Sequence, residues 1–168
     1  MTLTIASVNV NGIRAACKQR NENNPGMNAW LAETSADIVL MQEVRATPEQ
    51  AEKALAPALE MGWHLALADA AAKGRAGVGI LSRTPLADVE VGFGSFSDAG
   101  RWIAATTRDI RVASLYLPSG DTGSPKLDEK YRFLDEFQEV LAENAARTNP
   151  DGSPADMVIG GDWNICHR

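Results

Sequence analysis

A chain of 168 residues with 45% apolar side chains can bury the core of one domain, which excludes an intrinsically disordered protein. Sixteen basic residues against 22 acidic ones leave a net charge of −6; this excludes a polybasic, histone-like nucleic-acid binder but not an enzyme that grips nucleic acid through a local patch. Cys17 and Cys166 cannot build a disulfide framework, no apolar run approaches about 18 residues, and the N-terminus lacks the pattern of a secretory signal, so a soluble cytoplasmic protein is expected.

In chain order, residues 2–9 read as a strand that stops at the turn chemistry of Asn9-Val10-Asn11-Gly12. Met27, Trp30, Leu31 and Thr34 step at helical spacing within 26–35, just after Pro25. Residues 37–42 form an unbroken apolar run ending at Glu43, the pattern of a strand covered on both faces. Thr47-Pro48-Glu49 supplies a cap, a proline and an acid for a helix that ends by Met61-Gly62. Strands are expected at 63–68, 76–82, 86–91, 101–107 and 110–117, separated by turns at Lys73-Gly74-Arg75, Thr84-Pro85, 97–100 and Arg108-Asp109. After a loop at 118–125, Leu127, Tyr131, Leu134, Phe137, Leu141 and Ala145 step by threes and fours along a long amphipathic helix. A last short strand, Met157-Val158-Ile159, runs into Gly160-Gly161-Asp162-Trp163-Asn164. The pattern is α/β, with helices outside short strands. Neither GxGxxG after the first strand nor GxxxxGK[ST] occurs, so dinucleotide and triphosphate folds lack support.

Polar residues gather at the predicted strand ends: Asn9, Glu43, Asp162 and Asn164, with Tyr116 near a fourth end. Their oxygens are hard donors suited to Mg²⁺ or Mn²⁺, and strand ends are where layered α/β proteins build sites. With two histidines, His64 and His167, and no Cys/His cluster, a zinc site has no basis, and no GxSxG supports a serine hydrolase. Each residue also has a structural reading: Asn9, Asn11 and Asp162 as turn residues, Glu43 as a solvated helix entry, Tyr116 and His64 as part of the packing.

Seven segments, in order, resemble the exonuclease III-like apurinic/apyrimidinic endonucleases of the endonuclease/exonuclease/phosphatase superfamily. They are Ser7-Val8-Asn9-Val10-Asn11-Gly12-Ile13-Arg14, Met41-Gln42-Glu43, Gly77-Val78-Gly79-Ile80-Leu81-Ser82, Gly100-Arg101, Tyr116-Leu117-Pro118-Ser119-Gly120, Lys130-Tyr131-Arg132-Phe133 and Gly161-Asp162-Trp163-Asn164-Ile165. The resemblance implies a four-layer α/β/β/α sandwich. It implies a Mg²⁺-dependent repair enzyme, with Mn²⁺ as an alternative ion, that cuts duplex DNA 5′ to abasic sites and has 3′→5′ exonuclease or 3′-phosphodiesterase activity. Glu43 would be the principal metal ligand, with Asn9, Asp162 and Asn164 around the metal and phosphate. Asp162 would orient or deprotonate the attacking water, Asn164 would hold that aspartate and the phosphate, and Tyr116 would stabilise the phosphate. Asn11, Arg14, Arg101 and Lys130 would lie on the DNA path.

Full chains of that family are longer, with a further loop aspartate and a terminal Asp-His pair that residues 1–168 do not show, and His167 does not match that histidine. The sequence therefore reads as one domain lacking its C-terminal part, inactive as it stands, from a parent expected to be a monomer. A superfamily phosphodiesterase acting on inositol phosphates or sphingolipids, and an inactive binding module, are the competing readings.

Overall fold

The computed structural model describes residues 2–72 and 74–165, so Lys73, Cys166 and His167 of the sequence reading lie outside the described residues. Among the described residues the order is β1 (Ile5–Asn9), α1 (Ile13–Ala16), α2 (Met27–Glu33), β2 (Ile38–Gln42), α3 (Pro48–Glu60), β3 (His64–Ala68), β4 (Val78–Ser82), β5 (Ala87–Val91), a short 3₁₀ turn (Gly94–Phe96), β6 (Trp102–Thr107), β7 (Ile110–Tyr116), α4 (Pro125–Ala145) and β8 (Met157–Asp162).

The strands form two four-stranded sheets, ordered β1-β2-β4-β3 and β5-β6-β7-β8. Only β1–β2 and β7–β8 pair in parallel. A parallel neighbour needs a crossover, and the helical segments supply both: α1 and α2 link β1 to β2, and α4 links β7 to β8. Helices thereby end up on the outer face of each sheet.

Side chains along β2 alternate between two apolar layers, as strand geometry requires. Ile38 and Leu40 face the second sheet and pack with Ile80, Ile103, Ala105 and Val112. Val39 and Met41 face outward, with Leu31 of α2 and Ala51 and Leu55 of α3. On the other outer face Phe133 and Phe137 of α4 join Phe96, Trp102 and Leu115. Phe93 meets Phe133 edge-on with ring centroids 4.9 Å apart, and Trp102 meets Phe137 at 5.2 Å. The result is the α/β/β/α four-layer arrangement expected from the sequence. Thr47 caps α3 through a reciprocal capping box with Gln50. Among the described residues, no helix is long and apolar enough to cross a membrane.

Two local expectations change. The first strand starts at Ile5 rather than residue 2, and along α4 Phe133 joins Phe137 in the buried face while Tyr131 and Leu141 of the expected stripe are exposed; a short helix, Ile13–Ala16, follows the turn at 9–12. Four residues carry no usable periodicity; in this short helix Ile13 is the buried residue.

Candidate active site

β1 and β8 are the edge strands on the same side of the two sheets, so their C-terminal ends bring Asn9 and Asp162 together. In the ladders, Asn9 stands opposite Gln42, the residue before Glu43, and Tyr116 stands opposite Asp162. Parallel pairing thus carries four candidate residues to one end of the sandwich.

The side-chain amide of Asn9 is the hub. Its Nδ2 donates to Glu43 Oε1 at 2.9 Å and to Asp162 Oδ2 at 3.1 Å. Its Oδ1 accepts the backbone N–H of Asn11 at 3.0 Å, which fixes the amide's orientation. One neutral side chain therefore holds a carboxylate from each sheet. The Asp162 carboxylate also accepts the Asn164 N–H at 3.1 Å, through Oδ1.

Glu43 adopts a left-handed backbone conformation, φ 53°. For a residue with a Cβ this costs about 1–2 kcal/mol and persists only where the surroundings over-determine it. Here they do. Gly12 N–H donates to Glu43 O at 2.7 Å, Ile13 N–H to Val44 O at 3.0 Å, Val44 N–H to Gly77 O at 2.9 Å and Arg45 N–H to Ala76 O at 2.9 Å. Gly77 N–H in turn reaches Gly100 O at 2.9 Å. Gly100 sits so close to its neighbours that a Cβ there would lie 2.7 Å from the Ala70 nitrogen. The 12–13, 43–45, 76–77 and 100 segments thus form one backbone clamp around Glu43.

Burial alone would push the Glu43 carboxyl upward. Interaction with the Asn9 amide, the Tyr116 hydroxyl and the Arg45 guanidinium outweighs this and holds it below the usual glutamate value. Tyr116 moves the other way: burial, then the neighbouring charge of Glu43, raises its phenol, so it is a proton-bearing donor at neutral pH.

Arg101 and Lys130 are engaged with the protein. Arg101 Nη1 donates to Tyr116 O at 3.3 Å, and its guanidinium stacks 5.0 Å from the centre of the Tyr116 ring. Lys130 Nζ donates to Asn164 O at 2.7 Å. Arg14 is exposed on a separate groove lined also by Arg45, Thr47, Gln50 and Arg75. Asn11 follows the hub in a left-handed conformation, φ 44°. Asn164 holds Asp162 by its backbone N–H, while its side-chain amide donates to Leu117 O at 2.8 Å.

Two features escaped sequence reading. Arg45 forms an ion pair with Glu43; a cation two residues beyond the carboxylate was the available signal. Gln42, fully buried, donates to Ser114 Oγ at 3.0 Å, and Ser114 Oγ donates to Met41 O at 2.8 Å, tying the two sheets beneath the site. A glutamine in an otherwise apolar strand was the mark of that link.

Residues 6–168 match the model of the endonuclease/exonuclease/phosphatase family. The chain belongs to that family. It is similar to an AP endonuclease from Archaeoglobus fulgidus, at 29% identity and a TM-score of 0.77 over 98% of this chain. It is also similar to a 3′ phosphatase from Neisseria bound to a product DNA hairpin, at 28% identity and a TM-score of 0.78 over 98% of this chain. A 3′-5′ exonuclease from Neisseria meningitidis matches at 28% identity and a TM-score of 0.77 over 96% of this chain. The chain spans 57–58% of the length of these three proteins.

The donor set fits a divalent cation of the magnesium class. Two carboxylates converge from two sheets and offer oxygen, while the Asn9 amide presents its N–H donors to both, and Mg²⁺ commonly takes one or two carboxylates and completes its shell with water and substrate phosphate. Among the described residues there is no cluster of three or more His, Cys, Asp or Glu side chains of the kind a wholly protein-built cage needs.

Proposed function

We propose that the whole protein carrying this chain is a Mg²⁺- or Mn²⁺-dependent phosphodiesterase of DNA repair that cuts the backbone of duplex DNA 5′ to an abasic site; the protein assayed below is that whole protein. A 3′→5′ exonuclease or 3′-phosphodiesterase activity at the same centre is part of this reading, as is action in the cytoplasm. The observation that carries it is the Asn9 amide holding Glu43 and Asp162 together beside Tyr116.

Glu43 would be the principal metal ligand, with Asn9, Asp162 and Asn164 around the same ion and the phosphate. When bound, such an ion supplies charge neutralisation at the phosphodiester and stabilisation of the leaving oxygen. Asp162 accepts a proton from the attacking water, and the Asn9 and Asn164 N–H groups hold its carboxylate in place for that task. The Tyr116 phenol, kept protonated, donates to a phosphate oxygen as charge develops. An abasic sugar leaves the helix with little loss of stacking, which favours it as the extruded residue.

Two things favour DNA over an inositol phosphate or sphingolipid headgroup. A separate groove holding Arg14, Arg45 and Arg75 offers cations away from Asn9 and Asp162, where a polymer's backbone could be held and a small headgroup would not reach. A DNA-bound 3′ phosphatase is also among the similar structures. The test is parallel turnover, with Mg²⁺, of a duplex carrying one abasic analogue, an inositol polyphosphate and sphingomyelin. Cleavage of the duplex alone is expected; turnover of either headgroup with the duplex untouched would overturn the reading.

A further inference from the structure

Lys130 has an employment other than contact with substrate phosphates. It lies in the second turn of α4, whose phase is set by the buried Phe133 and Phe137, three and seven residues further on. Its ammonium donates to the Asn164 carbonyl at 2.7 Å in a part-buried, charge-assisted hydrogen bond. The stem runs beside Gly120, where a Cβ would lie 3.1 Å from Lys130 Cδ, so the loop after β7 passes close to the lysine.

Asn164 is fixed by three contacts at once. Its carbonyl accepts from Lys130, its N–H donates to Asp162 Oδ1 at 3.1 Å, and its side chain donates to Leu117 O at 2.8 Å. It does so in a left-handed conformation, φ 44°, one that asparagine adopts readily. The same helix grips the neighbouring Trp163 through Phe137, with ring centroids 6.4 Å apart.

We propose that Lys130 is a positioning residue: through the Asn164 carbonyl it keeps the Asn164 N–H on the Asp162 carboxylate, and it adds little to the grip on DNA. Its effect on turnover rests on the reading that Asp162 acts in phosphodiester cleavage. Without the ammonium, the carbonyl loses its partner, the tip rotates, and Asp162 loses the donor that orients it. Displacements of about 1 Å in a reacting group can cost roughly a hundredfold in rate.

The experiment compares Lys130→Met and Lys130→Arg with the wild-type protein by three readouts: hydrogen exchange of the Asn164 amide by NMR, affinity for an uncleavable abasic duplex across a salt series, and kcat on the cleavable duplex. For K130M the expected result is Asn164 exchange faster by about tenfold or more, kcat lower by about ten- to a hundredfold, and an unchanged affinity and salt slope. K130R is expected to recover most of both losses. Unchanged Asn164 exchange in K130M overturns the proposal, as does weaker binding with a salt slope reduced by about one and normal kcat, the signature of a phosphate contact. A wild-type protein that leaves abasic DNA uncut would overturn the functional reading instead, and the exchange readout would still decide whether Lys130 holds Asn164.

Discussion

Asn9 and Asp162 are 153 residues apart in sequence and are joined by a hydrogen bond of 3.1 Å. The same Asn9 amide reaches Glu43 at 2.9 Å, so the ends of two separate sheets are locked by one side chain. Two carboxylates drawn this close repel each other. The donor they share offsets that repulsion and holds them at one end of the sandwich.

Replacing the hub tests its role. Asn9→Ala removes the shared donor but leaves the strand ladder intact, because Asn9 is exposed and pairs through its backbone. Turnover is expected to fall by about a hundredfold, on the scale of removing a preorganised polar group, with a stability loss of only about 1 kcal/mol. Steady-state cleavage and a urea melt check the two expectations together.

Arg14 and Lys130 should separate in a salt titration. Arg14 is exposed on the arginine groove, whereas the Lys130 ammonium is held by Asn164. Each neutralised phosphate contributes a slope of about −0.9 in log K against log salt. Arg14→Gln should therefore make the slope shallower by about one and weaken binding across sequences. An unchanged slope would remove Arg14 from the DNA path.

Cys17 should react slowly with iodoacetamide. Burial pushes its thiol from an ordinary value of 9.0 up to about 11, so little thiolate exists at pH 8. The linkage has a definite direction. Between pH 9 and 11 the unfolded chain ionises while the folded chain keeps its proton, so this residue's contribution to stability is present below pH 9 and is lost as pH rises through 11. Peptide-resolved mass spectrometry after a timed alkylation pulse reports it; labelling of Cys17 as fast as free cysteine would contradict the raised, half-buried thiol.

Phe133→Ala should destabilise the protein by about 3–5 kcal/mol, because a fully buried ring at the centre of the α4 aromatic cluster is removed. Denaturant unfolding measures it. A loss under about 1 kcal/mol would mean that α4 is not packed on the second sheet as described.

Much of the fold was legible in the sequence, where local pattern and tertiary demand agree. The apolar run of β2 is buried at every position, whereas the steps read along α4 catch the buried Phe137 but miss the buried Phe133 and take in Tyr131 and Leu141, which are exposed. The Thr47 cap was readable because its partner, Gln50, is three residues away. The site was legible as residue types at strand ends but not as a geometry. Nothing local announces that Asn9 meets partners 34 and 153 residues away. The left-handed Glu43 has no glycine or asparagine to signal it, since four backbone segments impose it. Arg101 and Lys130 show in sequence only as cations; their attachment to Tyr116 and Asn164 depends on how β6, β7, α4 and β8 come together.

The most direct test of the central claim is cleavage of an abasic duplex, titrated with Mg²⁺, by the wild-type protein, Glu43→Ala and Asp162→Asn. The account predicts that E43A loses most activity and its response to Mg²⁺. It predicts that D162N binds the duplex normally but turns over about 10²–10⁴-fold more slowly, the scale of a lost general base. Wild-type rates and Mg²⁺ dependence in both variants would show that the carboxylates joined by Asn9 are not the reacting centre.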